Sequence, residues 1–246
     1  MSHHYIEFKN VSYQYPSGME ALKDVSFRIS HGEKVGLIGR NGAGKSTLLL
    51  HTNGLLLPSK GTVDIGGVAV TKKTLPLIRQ TVGMVFQNPE DQLFMPTVAE
   101  DVAFGPLNMK LSRQEVDDRV EKALRAVGCL ELLKNSTNQL SGGEKRRVAI
   151  ATVLSMTPSI LVLDEPTSNL DWVARKMLVD LIESFDHTCL ITSHDLGLIK
   201  TVCNRVLIMD KGRLVNDIPT TRLFEDEEIL KNLGIDCQTL SLLYTG

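Results

Sequence analysis

Residues 34–54, "KVGLIGRNGAGKSTLLLHTNG", decide the fold. "KVGLIG" reads as a short buried strand running into a glycine loop, and "KSTLLLHTN" as a helix that Gly54 closes. Between them, Gly39-Arg-Asn-Gly-Ala-Gly44-Lys45-Ser46 satisfies the pattern GxxxxGK[ST] in full. Glycines at that spacing let backbone amides turn inward around the α- and β-phosphates, at a helix N-terminus whose dipole favours negative charge. Lys45 can reach the β- and γ-oxygens, and the Ser46 hydroxyl is a ligand for Mg²⁺. A chance glycine turn has no reason to fall between an apolar strand and a helix. The stretch therefore binds nucleotide, through Gly39, Asn41, Gly42, Ala43, Gly44, Lys45, Ser46 and Thr47.

Upstream, "YIEFKNVSYQY" and "ALKDVSFRIS" alternate with period two around the turn "PSG", which predicts an antiparallel hairpin. Downstream, "GTVDIGGVAV" predicts a second hairpin turning at Gly66-Gly67, and "TVGMVFQ" a strand leading into a loop. From about residue 88 to 157 the texture is helical. Ser112 and Glu115 form a capping box, after which Val116, Val120, Leu124 and Val127 recur at helical spacing until Gly128. Another helix stops before Pro158. Strands then return in "SILVLDE", "TCLITSH" and "RVLIMDKG", alternating with helices. Nearly continuous apolar strands in that alternation imply a parallel sheet covered on both faces. The expected fold is α/β of the P-loop type, a parallel core sheet with an N-terminal antiparallel β subdomain and an inserted α-helical subdomain. The expected division is 1–87 plus 158–220 for the core and antiparallel strands, 88–157 for the helical part and 221–246 for a C-terminal extension.

The chain has 246 residues, 42% hydrophobic and 23% charged, which suits an ordinary globular protein. A formal charge of −2 argues against nucleic-acid binding over a broad basic surface. Cys129, Cys189, Cys203 and Cys237 are widely spaced with no CxxC pair, so buried thiols in a reducing compartment are expected rather than disulfides or a metal site. His3 and His4 are adjacent but terminal, a poor metal site. "MSHHYIEFKN" has no apolar signal-peptide core, and no stretch approaches the roughly 18 apolar residues of a membrane span. If the protein works at a membrane, something else must hold it there.

"ILVLDEP", residues 160–166, ends an apolar strand in two acids at the carboxyl edge of a parallel sheet, where α/β proteins place ligands. Asp164 would hold Mg²⁺ and Glu165 would orient or deprotonate an attacking water. "LSGGEKRR", residues 140–147, presents a second anion-binding candidate. Ser141 and Glu144 stand in capping-box relation, which any helix can use. Capping does not explain Gly142 and Gly143, which together cost about 1–2 kcal/mol in a first turn. Close approach of an anion to bare backbone does.

Here the chain resembles ATP-binding-cassette (ABC) ATPases. "LSGGE" is similar to their LSGGQ signature and lies between the two phosphate-site motifs, as in that family. Gln87, ending the strand "GMVF", is placed like the Q-loop glutamine, a further Mg²⁺ ligand; "SNLD", ending at Asp171, resembles the D-loop; His194 matches the switch histidine. Tyr15 is placed like the aromatic that stacks on adenine. Singly, a Gln is usually solvated, a His is more often structural, and Tyr15 could pack on a strand neighbour. The ordered set covers residues 5–220.

The resemblance implies ATP and Mg²⁺ as cofactors and a head-to-tail pair of subunits. Ser141, Gly142, Gly143 and Glu144 would then hold the γ-phosphate of ATP in the partner's P-loop, with Lys45, Gln87, Glu165 and His194 as the catalytic set. Glutamate at 144, where Gln is commonest, suits the helix dipole and is expected to be tolerated. "QNPEDQLFMPTVAEDVAFGPLNMKLS" resembles ATPases of energy-coupling-factor (ECF) transporters, which import cobalt, nickel or vitamins. Leu93, Phe94 and Met95 would floor a groove for the membrane partner's coupling helix, or else belong to the core of the helical part. Trp172 beside the D-loop is expected to be simple packing. The resemblance implies a peripheral protein on the cytoplasmic face of the membrane, with a transmembrane coupling subunit and a substrate-binding membrane subunit. A short C-terminal end tips the reading toward the cobalt or nickel type with two identical ATPases. Two readings compete. A soluble ABC ATPase of repair or translation usually has tandem cassettes, a coiled-coil insertion or zinc ligands, none visible here; a P-loop kinase would lack the signature stretch.

Overall fold

The computed structural model describes residues 4–235. Strands β1 (Ile6–Gln14) and β2 (Glu20–Ile29) form the first hairpin, and β3 (Lys34–Gly39) leads through the glycine loop into helix α1 (Lys45–Thr52). Strands β4 (Lys60–Ile65) and β5 (Val68–Ala69) turn at Gly66 and Gly67, both at positive φ. Helix α2 (Leu75–Thr81), which the sequence pattern did not reveal, precedes β6 (Val82–Val85). Helices α3 (Val98–Asn108), α4 (Arg113–Ala126) and α5 (Gly142–Leu154) then run before β7 (Ile160–Asp164). The remainder is α6 (Trp172–Ser184), β8 (Thr188–Thr192), α7 (Leu196–Val202), β9 (Arg205–Asp210), β10 (Arg213–Pro219), α8 (Thr220–Glu225) and α9 (Glu227–Leu233).

Among the described residues the strands make two sheets. One is antiparallel, in the order β2-β1-β4-β5; the other runs β10-β9-β3-β8-β7-β6 and is parallel except for β10. The β10 edge escaped the sequence reading because "RLVNDIP" alternates weakly and ends in proline, as edge strands tolerate. The edge strand β6 ("VGMV") and the inner strand β7 ("ILVLD") are alike buried throughout, since one apolar layer covers each face.

Three helices begin with the same device. Thr97 with Glu100, Ser112 with Glu115 and Ser141 with Glu144 are reciprocal capping boxes starting α3, α4 and α5. Cys129, Cys189 and Cys203 are free and buried, and burial pushes their thiols up to about 11, 12 and 12. Cys237 and His3 lie outside the described residues, as does the C-terminal extension beyond residue 235. Histidines scattered in sequence converge at the amino ends of the parallel strands: the rings of His4, His31 and His187 lie 5.4, 5.5 and 5.7 Å apart. No helix of the described residues is long and apolar enough to cross a membrane.

Candidate nucleotide site

Strand order places the site. β3 sits between β9 and β8, and β8 is flanked by β7, so Leu37, Thr192 and Asp164 lie side by side at the carboxyl edge. The glycine loop leaves the sheet there. Gly44 has φ of 101°, and a Cβ on it would stand 2.6 Å from the carbonyl of Ala21, so bare backbone is required. Lys45 Nζ donates to the carbonyls of Gly39 at 2.7 Å and Arg40 at 3.2 Å, across the loop it closes. Burial lowers the pKa of this ammonium, with the charges of Glu165 and Asp164 opposing the shift.

A cleft of about 830 Å³ opens over the loop. Tyr15, residues 41–47, Gln87, Asp164, Glu165 and His194 line it together, so residues from five separate chain segments meet in one cleft. Gly39 does not line this cleft but lines an adjoining one with Asn41 and His194. Ser141, Gly142, Gly143, Glu144 and Asp171 do not line it. Gln87 stands two residues past the end of β6 rather than ending it. The strand stops at Val85 because the next groups bond elsewhere. Phe86 N–H donates to Gln92 Oε1, and the carbonyls of Phe86 and Gln87 both accept from Arg146.

Asp164 and Glu165 are both buried. Thr192 Oγ1 donates to Asp164 Oδ1 at 2.5 Å and accepts the Glu165 amide at 3.1 Å. Glu165 adopts φ of 48°, a left-handed conformation costly for a side chain of its size and held by those contacts. The amide of His194 donates to Glu165 Oε2 at 3.0 Å, while Glu165 Oε1 has no hydrogen-bond donor and lies 3.4 Å from His194 Nε2. A buried carboxylate with one open oxygen beside an exposed imidazole is arranged to take a proton from a group entering the cleft.

Sequence reasoning missed Thr192 and Arg146. Thr192 was hidden inside the apolar strand "TCLIT", its role visible only when β7 pairs with β8. Arg146 is 1% exposed and bonds no carboxylate; burial lowers its pKa while Asp164 and Glu165 hold it up. It fastens α5 to the loop after β6. Gln92 does the same through Ala149 O and Thr152 Oγ1, and Lys145 pairs with Glu90 at 2.6 Å.

On α5, Ser141 Oγ donates to Glu144 Oε2 at 2.7 Å and the Ser141 amide donates to the same oxygen at 2.8 Å. A Cβ on Gly142 would meet nothing within 4 Å, and one on Gly143 only the carbonyl of Asn169 at 3.3 Å. Among the described residues nothing stands close enough to require glycine at 142. Asp171 caps α6 by accepting the Ala174 amide at 2.8 Å. The expectation that Trp172 is packed is corrected: as the first residue of α6 it is 76% exposed, and Val173 beside it is 60% exposed. Of the three residues expected to floor a groove, Leu93 packs on the main core, Phe94 is exposed against Phe104, and Met95 lines an apolar groove of about 680 Å³ between α3 and α4.

A glycine-loop cradle, a strand-end carboxylate pair and a switch-placed histidine in one cleft define a P-loop nucleoside triphosphatase. Residues 22–168 match the family model for ABC transporters. A Geobacter sulfurreducens protein, named provisionally as an ABC transporter ATP-binding protein, is 55% identical over 236 residues, 96% of this chain and 95% of that one. The energy-coupling factor transporter ATP-binding protein EcfA of Methanosphaera stadtmanae is 45% identical over 97% of this chain and 88% of its own length. Among solved structures, cbiO1 of Clostridium perfringens, part of the ABC transporter complex cbiONQ, superposes with a TM-score of 0.80 at 34% identity, covering 97% and 98% of the two chains. An ATP-binding cassette solved as a dimer in a post-hydrolysis state with ADP and Pi gives 0.81 at 29% identity over 87% and 98%. The chain belongs to the ABC transporter family, as an ATP-binding subunit of the energy-coupling-factor type. Its activity is that of the family, hydrolysis of ATP to ADP and phosphate.

Proposed function

We propose that this chain powers an ECF importer, from the cytoplasmic face of the membrane, by hydrolysing ATP between two copies of itself. One observation carries the two-copy reading: the cleft holds the glycine loop, both acids and His194, yet no residue of 141–144 lines it. Among the described residues nothing comes within 4 Å of where a Cβ at 142 would stand. A second subunit brought head to tail would set Ser141, Gly142 and Gly143 over the terminal phosphate and let their amides and hydroxyl stabilise transition-state charge. That a similar cassette is a dimer with ADP and Pi bound supports a two-subunit reading.

In this reading Tyr15 stacks on the base, residues 39–47 hold the phosphates, and Lys45 neutralises the β- and γ-oxygens. Glu165 accepts the proton of the attacking water, and His194 orients that carboxylate and the terminal phosphate. The Ser46 hydroxyl, Gln87 amide and Asp164 carboxylate are hard oxygen donors lining one cleft, the set that suits Mg²⁺. When bound, the ion supplies charge neutralisation at the β- and γ-phosphates. Arg146 and Gln92 tie the loop bearing Gln87 to the signature helix, so closure of one is carried to the other.

The α3–α4 groove, with Met95, Ala103, Leu107 and Leu133 on its walls, is read as the seat of the transmembrane coupling subunit. The cargo is read as cobalt or nickel in preference to a vitamin, on the likeness to cbiO1. Co-purification with membrane subunits from the native cell, followed by cobalt, nickel and vitamin uptake in vesicles, tests both. Recovery of a soluble homodimer with full activity and no membrane partner would overturn the transporter reading.

A further inference from the structure

Tyr15, on the cleft wall, stands against two rings, Tyr13 and His51, that do not line the cleft. Its hydroxyl lies 3.0 Å from Thr47 Oγ1, at the start of α1. Its ring meets Tyr13 edge-on, with centroids 5.0 Å apart and planes at 84°. Tyr13 in turn meets His51 at 4.9 Å and 77°. One helical turn after Thr47, His51 is fully buried and bonds back to the Thr47 carbonyl at 2.7 Å through Nδ1.

The protons of this closed ring can be assigned. A carbonyl only accepts, so Nδ1 of His51 carries the hydrogen. Burial lowers the pKa of the imidazole, so it is neutral and Nε2 is a bare lone pair, buried without a partner. The ring is thus anchored in one tautomer on one side, and Tyr13 is wedged between it and Tyr15. Thr47 is the hub, holding His51 by its carbonyl and Tyr15 by its hydroxyl.

We propose that Tyr13 and His51 are positioning residues for the base of the nucleotide, fixing Tyr15 in its stacking attitude without touching ligand. The inference rests on the reading of Tyr15 as the base platform. It assigns a task to two side chains that do not line the cleft. It also explains why a buried histidine with an orphaned nitrogen sits in the first helix of a phosphate site. Because Thr47 belongs to both the cluster and the cradle, the base platform and phosphate loop are one pre-assembled unit.

The test separates base from phosphate. Binding of MgATP and of magnesium tripolyphosphate, which has no base, is measured on the full-length protein and on Tyr13→Leu, Tyr13→Phe and Tyr15→Ala. Tyr13→Leu is expected to weaken MgATP about three- to tenfold, the worth of a lost aromatic pair. It should leave tripolyphosphate unchanged and raise KM with little change in kcat. Tyr13→Phe keeps the edge-on ring and should behave as wild type. If Tyr15→Ala weakens MgATP but Tyr13→Leu does not, the positioning role fails while the platform stands. Equal weakening of both ligands by Tyr13→Leu would reduce the cluster to packing. No effect of Tyr15→Ala would remove the platform reading and the inference with it.

Discussion

His194 grips Glu165 from two directions: its amide donates to Oε2 at 3.0 Å, and its imidazole Nε2 faces Oε1 at 3.4 Å. The carboxylate is buried and the imidazole exposed, so one end of the pair is fixed and the other can follow a ligand. Glu165→Gln keeps the shape and the amide contact but removes the proton acceptor. It should still bind ATP, lower phosphate release by about 10²–10⁴-fold and accumulate an ATP-bound dimer in sizing experiments. Monomer alone in the presence of ATP would count against the two-copy reading.

Gly142 offers a cleaner test of the shared site than its neighbour. A side chain there meets open space, and aspartate in a first helical turn suits the dipole by about 0.3–1 kcal/mol. Gly142→Asp should therefore leave the melting temperature unchanged or slightly raised and preserve ATP binding by the monomer. Hydrolysis should fall at least about tenfold, since the new charge would face the partner's terminal phosphate. A parallel drop in stability would point to folding instead.

Trp172 is the only tryptophan in the chain, and it sits one residue past Asp171. The loop before it runs beside the start of α5, where a Cβ on Gly143 would stand 3.3 Å from Asn169 O. In Glu165→Gln with ATP, its emission should shift to the blue and resist acrylamide, as about 150–250 Å² of aromatic surface leaves water. An emission unchanged by dimer formation would place Trp172 outside the contact.

His51 gives stability a pH dependence of known sign. Burial depresses its pKa below the ordinary 6.5, so the unfolded chain binds the extra proton more readily. The stabilisation is complete above about pH 6.5 and is lost as pH falls through the folded-state value. Each unit of depression is worth about 1.4 kcal/mol, or about 3–5 °C in a chain of this size. His51→Leu should flatten the acid limb of the melting curve relative to wild type.

The strand–loop–helix of residues 34–54 and the acids closing "ILVLD" were legible because their chemistry is local. A glycine loop bends, and a run of apolar residues ends, whatever surrounds them. Tyr15, Gln87 and His194 were legible only as an ordered set resembling a family; their meeting in one cleft follows from β3 lying between β8 and β9. Trp172 misled because a large apolar side chain ordinarily finds a core, and the sequence does not say which way the first residue of α6 points.

By itself the sequence determined the phosphate cradle, the alternation of strand and helix, and the helix starts at Ser112 and Ser141, for these depend on contacts within a few residues. Tertiary structure alone decided that Thr192 would hold Asp164 and Glu165, that Arg146 would join α5 to the loop of Gln87, and that Tyr13 and His51 would stand behind Tyr15. Those contacts span up to 60 residues, between groups that strand order and helix packing bring together and that no local pattern encodes.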